Sequence, residues 1–224
     1  MLRRHFLLSG LAPVAGPPVV ALARQPELLR GLGAGFRFFR RAYAARPTRE
    51  AALLSLETGF YPHAAAGKPH LLRVLDWQGG PLPPAPLLIV TAAHGGIADD
   101  WQERSVRVPL AVRGRGFEPG ADDALVSIAD VARGLERRES VFSYGKLGQP
   151  GEWRMVVRGL DKMVANARME VVGLFNLGPD PREETNLAES EGHGLLRDEL
   201  LAHLRAWMKR IAYRIDPSGL KQRP

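Results

Sequence analysis

A histidine in the turn TAAHGG, residues 91–96, is the first candidate for chemistry. The turn follows the apolar run of residues 86–90. A buried strand that ends in a glycine-rich turn with a histidine is typical of a metal or phosphate corner in an α/β enzyme. Hard divalent cations prefer oxygen ligands, so such a corner also needs carboxylates. Both residues before His94 are alanines. The turn is therefore either a catalytic corner that has lost a ligand or a strand end that contains a histidine.

Basic side chains are the second chemical feature, since the formal net charge is +7. Residues 37–49 contain five arginines, interleaved with aromatic residues, and no acid. Such a stretch could contact nucleic acid. No nucleic-acid-binding motif accompanies it, so we interpret it as a solvated basic surface and expect no nucleic-acid partner. A basic surface or cleft also suits an anionic ester substrate.

Composition narrows the class of protein. The 224 residues, 45% hydrophobic and 25% charged, are typical of a globular chain with one large domain or two small ones. The absence of cysteine excludes a disulfide framework, a thiolate metal site and a cysteine nucleophile.

The N-terminus resembles a twin-arginine export signal, because residues 3–7, RRHFL, match the R-R-x-F-L part of that pattern. Prolines interrupt the apolar stretch that follows, which is too short to span a membrane, so we expect no transmembrane segment. Residues 21–23, Ala-Leu-Ala, offer a cleavage site. We therefore predict a signal segment over residues 1–23 and a periplasmic or secreted protein, or a cytoplasmic one if the signal is not functional. Alternatively, residues 19–23 form a buried strand.

The elements that must position these side chains alternate along the chain. Periodicity and end signals predict helices over residues 26–32, 49–56, 68–77, 124–135 and 195–211. Strands are predicted over residues 87–91, 106–113, 153–158 and 171–177, the last two as a β pair. Pro109 indicates that the second strand lies at a sheet edge or contains a bulge. Alternating strands and helices predict an α/β fold.

Four groups of motifs follow one another in the chain: PELLRGLGAGFRF (26–38); AYAARPTR (42–49) with TGFYPH (58–63); TAAHGGIADDWQERSVRVPLAVRGRGFEPG (91–120) with DALVSIADV (123–131); and WRMV (153–156) with LFNL (174–177) and DPREETNLA (180–188). They resemble, in order, the motifs TPNLDRLAAEGVRF, AY…C-x-P-S-R…LLTGRYPH, TSDHGE…YEESVRVPLIIRGPGVPPG with ALVSHVDL, and YRAVRTGRYKLI…ELYDLEKDPGETTNLA of the sulfatase family in the alkaline-phosphatase-like superfamily. The resemblance covers most of residues 18–210.

This resemblance implies a compact, shortened alkaline-phosphatase/sulfatase-like α/β fold, with a mixed sheet flanked by helices. The core would cover residues 24–150. A C-terminal subdomain over residues 151–224 would hold the β pair and the long helix. The family's intervening core strands have no counterpart here, which leaves sheet edges that an oligomer could cover.

Sulfate-ester hydrolysis in this family uses a hydrated formylglycine, made from cysteine or serine, as the nucleophile. A divalent metal activates this nucleophile, and basic side chains stabilise the charge that develops on the sulfate. The nucleophile position of C-x-P-S-R falls on Ala45, which cannot become formylglycine. Arg49 matches the arginine of that motif, so it either contacts an anion or is an ordinary helix-surface side chain.

The metal ligands that the resemblance implies are also replaced. The first metal strand corresponds to residues 18–24, with Ala23 and Arg24 where two aspartates belong. In the SDHG motif an aspartate and the next residue reach the metal, and only His94 remains of that pair. Asp99 and Asp100 could replace the lost carboxylates or form a solvated acidic loop. The cofactor of a functional site would be a divalent cation such as Ca²⁺ or Mg²⁺.

GKPHL, residues 67–71, resembles the family's GKWHLG, whose lysine and histidine contact the sulfate. Lys68 and His70 are therefore further catalytic candidates, unless the similarity of so short a loop is accidental. Together these features predict a sulfatase-like protein, by resemblance a sulfuric ester hydrolase, with impaired catalysis. Its ligand would be an anionic sulfate or phosphate ester or glycan. The alternative is a non-catalytic binding module for an anionic glycan or a partner protein.

Overall fold

The computed structural model describes residues 17–114 and 116–210. The predicted twin-arginine motif lies outside these residues. The strands are β1 (Val19–Ala23), β2 (Arg37–Tyr43), β3 (Arg73–Trp77), β4 (Leu87–Ala92), β5 (Arg107–Gly114), β6 (Gly120–Ser127), β7 (Ser140–Gly145), β8 (Trp153–Arg158), β9 (Asp161–Asn166) and β10 (Val171–Asn176). The α-helices are α1 (Arg49–Thr58), α2 (Glu103–Val106) and α3 (Gly194–Arg210), and 3₁₀ helices cover Pro26–Gly31, Pro62–Ala64, Ile128–Arg133 and Glu191–His193. No helix of the described ranges has the length and apolar character needed to cross a membrane.

A mixed six-stranded sheet, in the order β3-β1-β4-β5-β2-β6, forms the larger layer. Its interior strands β1 and β4 are buried along their whole length because both faces are covered. Val20 and Leu22 of β1 belong to one hydrophobic cluster with Leu56 of α1. Ala21 points to the opposite cluster, which includes Leu29 of the first 3₁₀ helix. The alternating side chains of β1 thus hold helices on both faces of the sheet.

Residues 19–23 form a strand, which was one of the two predictions for this segment. β1 pairs in parallel with β3 on one side and with β4 on the other. The segment therefore belongs to the middle of the core and carries two complete ladders of hydrogen bonds.

The helix predicted over residues 68–77 is wrong, since Arg73–Trp77 is strand β3. Val74 and Leu75 could share a helix face with His70, but their backbone pairs with β1 instead. Short apolar runs are ambiguous between helix and strand, and here the partner strand decides.

The helix predicted over residues 124–135 is correct only in its second half. Residues up to Ser127 complete β6, which pairs in parallel with β2. The Ser127 hydroxyl then accepts a hydrogen bond from the backbone N–H of Ala129 and caps the 3₁₀ helix Ile128–Arg133.

Pro109 marks a bulge rather than a sheet edge. β5 lies inside the sheet between β4 and β2. Its register with β2 shifts between Phe39 and Ala42, whose partners are Leu110 and Val108. The strand thereby accommodates a residue that has no backbone N–H to donate.

A four-stranded antiparallel sheet, in the order β10-β9-β8-β7, forms the second layer. Both strands predicted for this region exist, but β9 lies between them. The long C-terminal helix is confirmed as α3, with the predicted end at Ile211 outside the described residues. Leu200, Leu204 and Trp207 recur on one face of α3 and pack against the sheet with Phe142 and Val156.

A buried ionic cluster connects the two sheets. Lys162 of β9 is fully buried, and its Nζ lies 2.6 Å from Glu183 Oε1 and 3.3 Å from Glu103 Oε2. It also donates to the carbonyl of Trp101 at 2.7 Å. The hydroxyl of Tyr43, on β2, donates to the other oxygen of Glu103, and burial, reinforced by this carboxylate, raises the pKa of Tyr43. Lys162 therefore reaches its two carboxylate partners, and Tyr43 reaches Glu103, only when the two sheets are docked.

Candidate functional site

The carboxyl ends of β1, β3 and β4 meet at one edge of the large sheet because these three strands are parallel. Arg24 directly follows β1, Asp76 is the penultimate residue of β3, and His94 lies two residues beyond β4. Ligands of open α/β sheets bind at this kind of edge. The topology therefore gathers residues that are distant in sequence.

A single carboxylate bridges two arginines at this edge. Arg24 donates to Asp76 Oδ2 from Nε at 2.9 Å and from Nη2 at 2.7 Å. Arg49, the first residue of α1, donates to Asp76 Oδ1. The hydrogen bonds from Arg24, with the positive charge of both arginines, lower the pKa of Asp76. Two guanidinium groups thus hold one ionised oxyanion, which leaves a net positive charge.

A second ion pair involves the loop that precedes α1. Arg46 Nη2 is 3.7 Å from Asp99 Oδ2, and the backbone N–H of Asp99 donates to the carbonyl of Pro47 at 2.8 Å. The loop after β4 is thereby held against the loop before α1. We call Arg24, Arg46 and Arg49 the arginine cluster.

Three buried polar atoms in the second pair and in His94 lack a hydrogen-bond partner. They are Nε of Arg46, Nδ1 of His94 and Oδ1 of Asp99. Buried polar atoms in folded proteins are almost always paired with protein or with water. These three atoms therefore lack the partner that buried polar atoms normally have.

His94 is partly buried in this environment. Burial lowers its pKa below the ordinary value, and the charge of Arg49 acts in the same direction, whereas Glu27 opposes it. The imidazole is therefore neutral at neutral pH and can donate or accept a hydrogen bond without adding charge.

The side chains at this edge do not fit a hard divalent cation. The sulfatase resemblance places two carboxylate ligands at the end of β1, and the chain has Ala23 and Arg24 at those positions. Asp99 faces Arg46, and Asp100 Oδ1 accepts a hydrogen bond from the N–H of Trp101 at 2.7 Å. Within residues 17–114 and 116–210 no group of three or more His, Asp or Glu side chains could hold a metal ion. Ca²⁺ and Mg²⁺ need several oxygen ligands, which this donor set does not supply.

Ala45, at the position predicted for the nucleophile, is buried next to β7. Its carbonyl accepts a hydrogen bond from the N–H of Tyr144 at 3.1 Å, and its methyl group belongs to the core. A methyl group cannot attack sulfur, so this position contributes packing and no nucleophile.

Lys68 and His70 lie at the opposite end of α1 from Arg49. Lys68 Nζ is 5.2 Å from the centroid of the Phe60 ring, and His70 Nδ1 is 3.4 Å from Glu57 Oε2. With a rise of about 1.5 Å per residue, Glu57 is about 12 Å along the helix from Arg49. The structure therefore groups Arg49, His94 and Asp99 but leaves Lys68 and His70 apart from them.

Sequence reasoning missed Asp76 because it assigned residues 68–77 to a helix. It also did not identify Arg46 as a candidate. It noted Arg24 only as the residue that stands where the sulfatase family has an aspartate. A parallel strand over Arg73–Trp77 would have placed Asp76 at the same edge as Arg24 and His94. The signal for that strand was the content of Val74, Leu75 and Trp77, which favour strands or core positions.

The glycine after His94 is required by a close backbone approach. A Cβ on Gly95 would lie 2.3 Å from the carbonyl oxygen of Arg107 and 2.6 Å from that of Arg104. On Gly96 the nearest atom would be 3.6 Å away. Gly95 also donates its N–H to the carbonyl of Ser105 at 2.8 Å, which fixes the turn against α2.

We therefore expect Gly95→Ala to destabilise the protein by about 1–3 kcal/mol, the usual cost of overpacking. Gly96→Ala is the matched control and should change the free energy of unfolding by less than about 0.5 kcal/mol. Urea unfolding followed by circular dichroism measures both. Equal stability of the two variants would contradict the packing seen here.

No protein-family model and no curated protein matches the sequence. Solved structures do. BT1596, a 2-O GAG sulfatase, has a TM-score of 0.72 at 12% identity, over 92% of this chain and 94% of that one. Ps i-CgsB in complex with k-i-k-neocarrahexaose has a TM-score of 0.62 at 10% identity, over 92% of this chain and 99% of that one. BT4656, in complex with its substrate D-glucosamine-2-N,6-O-disulfate, has a TM-score of 0.50 at 16% identity, over 61% of this chain and 36% of that one.

At these identities the likeness shows the fold alone. The chain has the sulfatase-like α/β fold that its motifs predict, which confirms the predicted fold class.

Proposed function

We propose that this chain is a sulfatase-like protein that recognises an anionic sulfate ester through the arginine cluster. It belongs by descent with the sulfuric ester hydrolases, but its catalysis is impaired. The contact that supports this proposal is the convergence of Arg24 and Arg49 on the carboxylate of Asp76. Paired guanidinium groups bind planar and tetrahedral oxyanions in the same way, through short charge-assisted hydrogen bonds.

A sulfated glycan is the ligand class that we propose. BT1596 is a sulfatase of a glycosaminoglycan, and BT4656 binds a disulfated glucosamine. The side chains of Arg46 and Asp99 are partly exposed, so the Asp99 carboxylate can accept a hydrogen bond from a sugar hydroxyl and the Arg46 guanidinium can donate one. A ligand with both hydroxyl groups and an oxyanion would use both kinds of atom.

The chemistry of the site supports recognition rather than turnover. Hydrolysis of a sulfate ester requires a nucleophile, and Ala45 offers none. It also requires charge stabilisation that exceeds the ground-state binding of the ester, which a metal supplies in the family. Without a nucleophile or a metal, the arginine cluster would bind the ester, and binding alone does not accelerate its cleavage.

The test of binding uses D-glucosamine-2-N,6-O-disulfate, with unsulfated glucosamine as the ligand control. We expect Arg49→Gln to weaken binding by about tenfold or more, since a hydrogen bond between charged partners contributes about 1.5–3 kcal/mol. Arg30→Gln, which removes an exposed arginine on the neighbouring 3₁₀ helix, should leave binding unchanged. Binding that does not depend on Arg49 would refute the proposed site. Glucosamine 6-phosphate distinguishes a preference for phosphate esters.

A titration of the same protein with Ca²⁺, Mg²⁺ and Mn²⁺, followed by native mass spectrometry, tests the impaired catalysis. We expect no specific one-to-one complex at micromolar metal and no hydrolysis of aryl sulfates above background. A one-to-one complex that disappears in Asp99→Asn would mean that Asp99 has rebuilt a metal site, and the hydrolase function would replace the binding function.

Export is also part of this proposal. The R-R-x-F-L match at residues 3–7 supports a twin-arginine route to the periplasm or the exterior. Cleavage would have to precede Val19, because β1 is part of the core of the large sheet.

A further inference from the structure

The ligand-binding groups of the arginine cluster already hold an anion that belongs to the protein. Asp76 Oδ2 accepts two hydrogen bonds from Arg24, and Asp76 Oδ1 accepts one from Arg49. These are the guanidinium groups that an incoming sulfate would need. A bound oxyanion and the Asp76 carboxylate would therefore compete for the three nitrogen donors that Asp76 holds in this arrangement, Arg24 Nε and Nη2 and Arg49 Nη2.

The Asp76 side chain is placed so that it can be displaced. β3 is an edge strand of the large sheet, and the side chain of Asp76 is 40% exposed. After displacement the carboxylate can be hydrated, so no buried charge would be left without a partner. Ion pairs this open to solvent are weak, and an external oxyanion can compete with them.

The Asp76 carboxylate also determines which anions the site attracts when no external ligand is bound. Arg24 and Arg49 would repel each other without a shared counterion, and Asp76 cancels one of their two positive charges. A monovalent ion such as chloride gains little by replacing a carboxylate that already makes three hydrogen bonds. A sulfate group, with three free oxygens in an ester, can engage both guanidinium groups and further donors of the cluster.

We infer that Asp76 is an internal competitor that occupies the guanidinium groups of Arg24 and Arg49 until a sulfate or phosphate oxyanion displaces it. This inference rests on the proposed function, since it concerns regulation of the same site. Asp76 lowers the affinity of the site for every external anion. It thereby favours ligands with several oxyanion oxygens over chloride.

The experiment measures the affinity of inorganic sulfate for the wild type and for Asp76→Asn. The Nε–H resonances of Arg24 and Arg49 in ¹⁵N-arginine-labelled protein report binding at the site itself. Sodium sulfate is titrated against sodium chloride at constant ionic strength. Since the exposed pairs being lost are weak, we expect Asp76→Asn to bind sulfate about threefold to tenfold more tightly.

Asp123→Asn is the matched control. Asp123 lies on β6, the outermost strand on the other side of the sheet from β3. Its Oδ2 is 2.6 Å from Nη2 of Arg40, and its side chain is also exposed. The variant loses the same charge and one arginine partner, so it corrects for the change in net charge. Its sulfate affinity should equal that of the wild type.

The outcomes separate this inference from the proposed function. Tighter sulfate binding in Asp76→Asn, with no change in Asp123→Asn, supports the internal competitor. Equal or weaker binding in Asp76→Asn, while binding still depends on Arg49, overturns the competitor and leaves the proposed function intact. If neither the wild type nor Asp76→Asn shows sulfate binding that Arg49→Gln abolishes, both ideas fail.

Discussion

Replacing Lys162 by methionine is expected to destabilise the protein by about 3–5 kcal/mol, the usual cost of breaking a buried ion pair from one side. Lys162 is fully buried between Glu103 and Glu183, and its Nζ also satisfies the carbonyl of Trp101. Methionine fills a similar volume but leaves two buried carboxylates without a counterion. Because the cluster joins the two sheets, its loss also weakens their docking.

Urea unfolding gives the change in free energy, with Lys209→Met as the matched control. Lys209 is exposed in the last turn of α3, so its replacement should cost less than about 0.5 kcal/mol. The Lys162→Met change should cost much less in a Glu103→Gln, Glu183→Gln background, because no unpaired charge then remains. A loss below about 1 kcal/mol in the wild-type background would show that the cluster is not buried as described.

A chain that begins at Arg24 is expected not to fold, whereas a chain that begins at Pro17 is expected to fold. Removal of β1 takes out Val19, Val20 and Leu22, whose burial contributes about 5–9 kcal/mol at about 1.5–3 kcal/mol each. The total stability of a domain is about 5–15 kcal/mol. The truncation also leaves β3 and β4 without the strand between them.

Circular dichroism and the dispersion of amide resonances distinguish a folded chain from an unfolded one for these two truncations. The intact mass of protein recovered from the periplasm of an expressing cell then gives the mature N-terminus. We expect that terminus at or before Val19. A folded, exported protein that begins at Arg24 would contradict both the role of β1 and the proposed cleavage position.

Local signals predicted several elements correctly because the decisive interactions lie within the segment. The helix over residues 49–56 is present as α1, and Gly59 ends it in a left-handed conformation with φ of 72°. The apolar run before TAAHGG is the buried strand β4. The C-terminal apolar periodicity is α3. The order of the motifs predicted the sulfatase-like fold, which the structural neighbours confirm.

Segments whose conformation depends on a distant partner were harder to predict. Arg73–Trp77 is a strand because its backbone pairs with β1, and the β-favouring residues within the segment do not by themselves exclude a helix. The predicted pairing of the last two strands missed β9, which supplies Lys162 to the cluster between the sheets.

For the candidate site, the sequence by itself determined which side chains are absent from the positions that the sulfatase resemblance assigns to the nucleophile and the metal ligands. Ala45 has no nucleophilic atom, and Ala23, Arg24 and Ala93 carry no carboxylate, whatever fold surrounds them. Only the tertiary structure decided what occupies the site instead. Arg24 and Asp76 are 52 residues apart in sequence, and Arg49 and Asp76 are 27 apart. They meet because the parallel pairing of β1 with β3 brings the two strand ends to one edge of the sheet, where the first turn of α1 also lies.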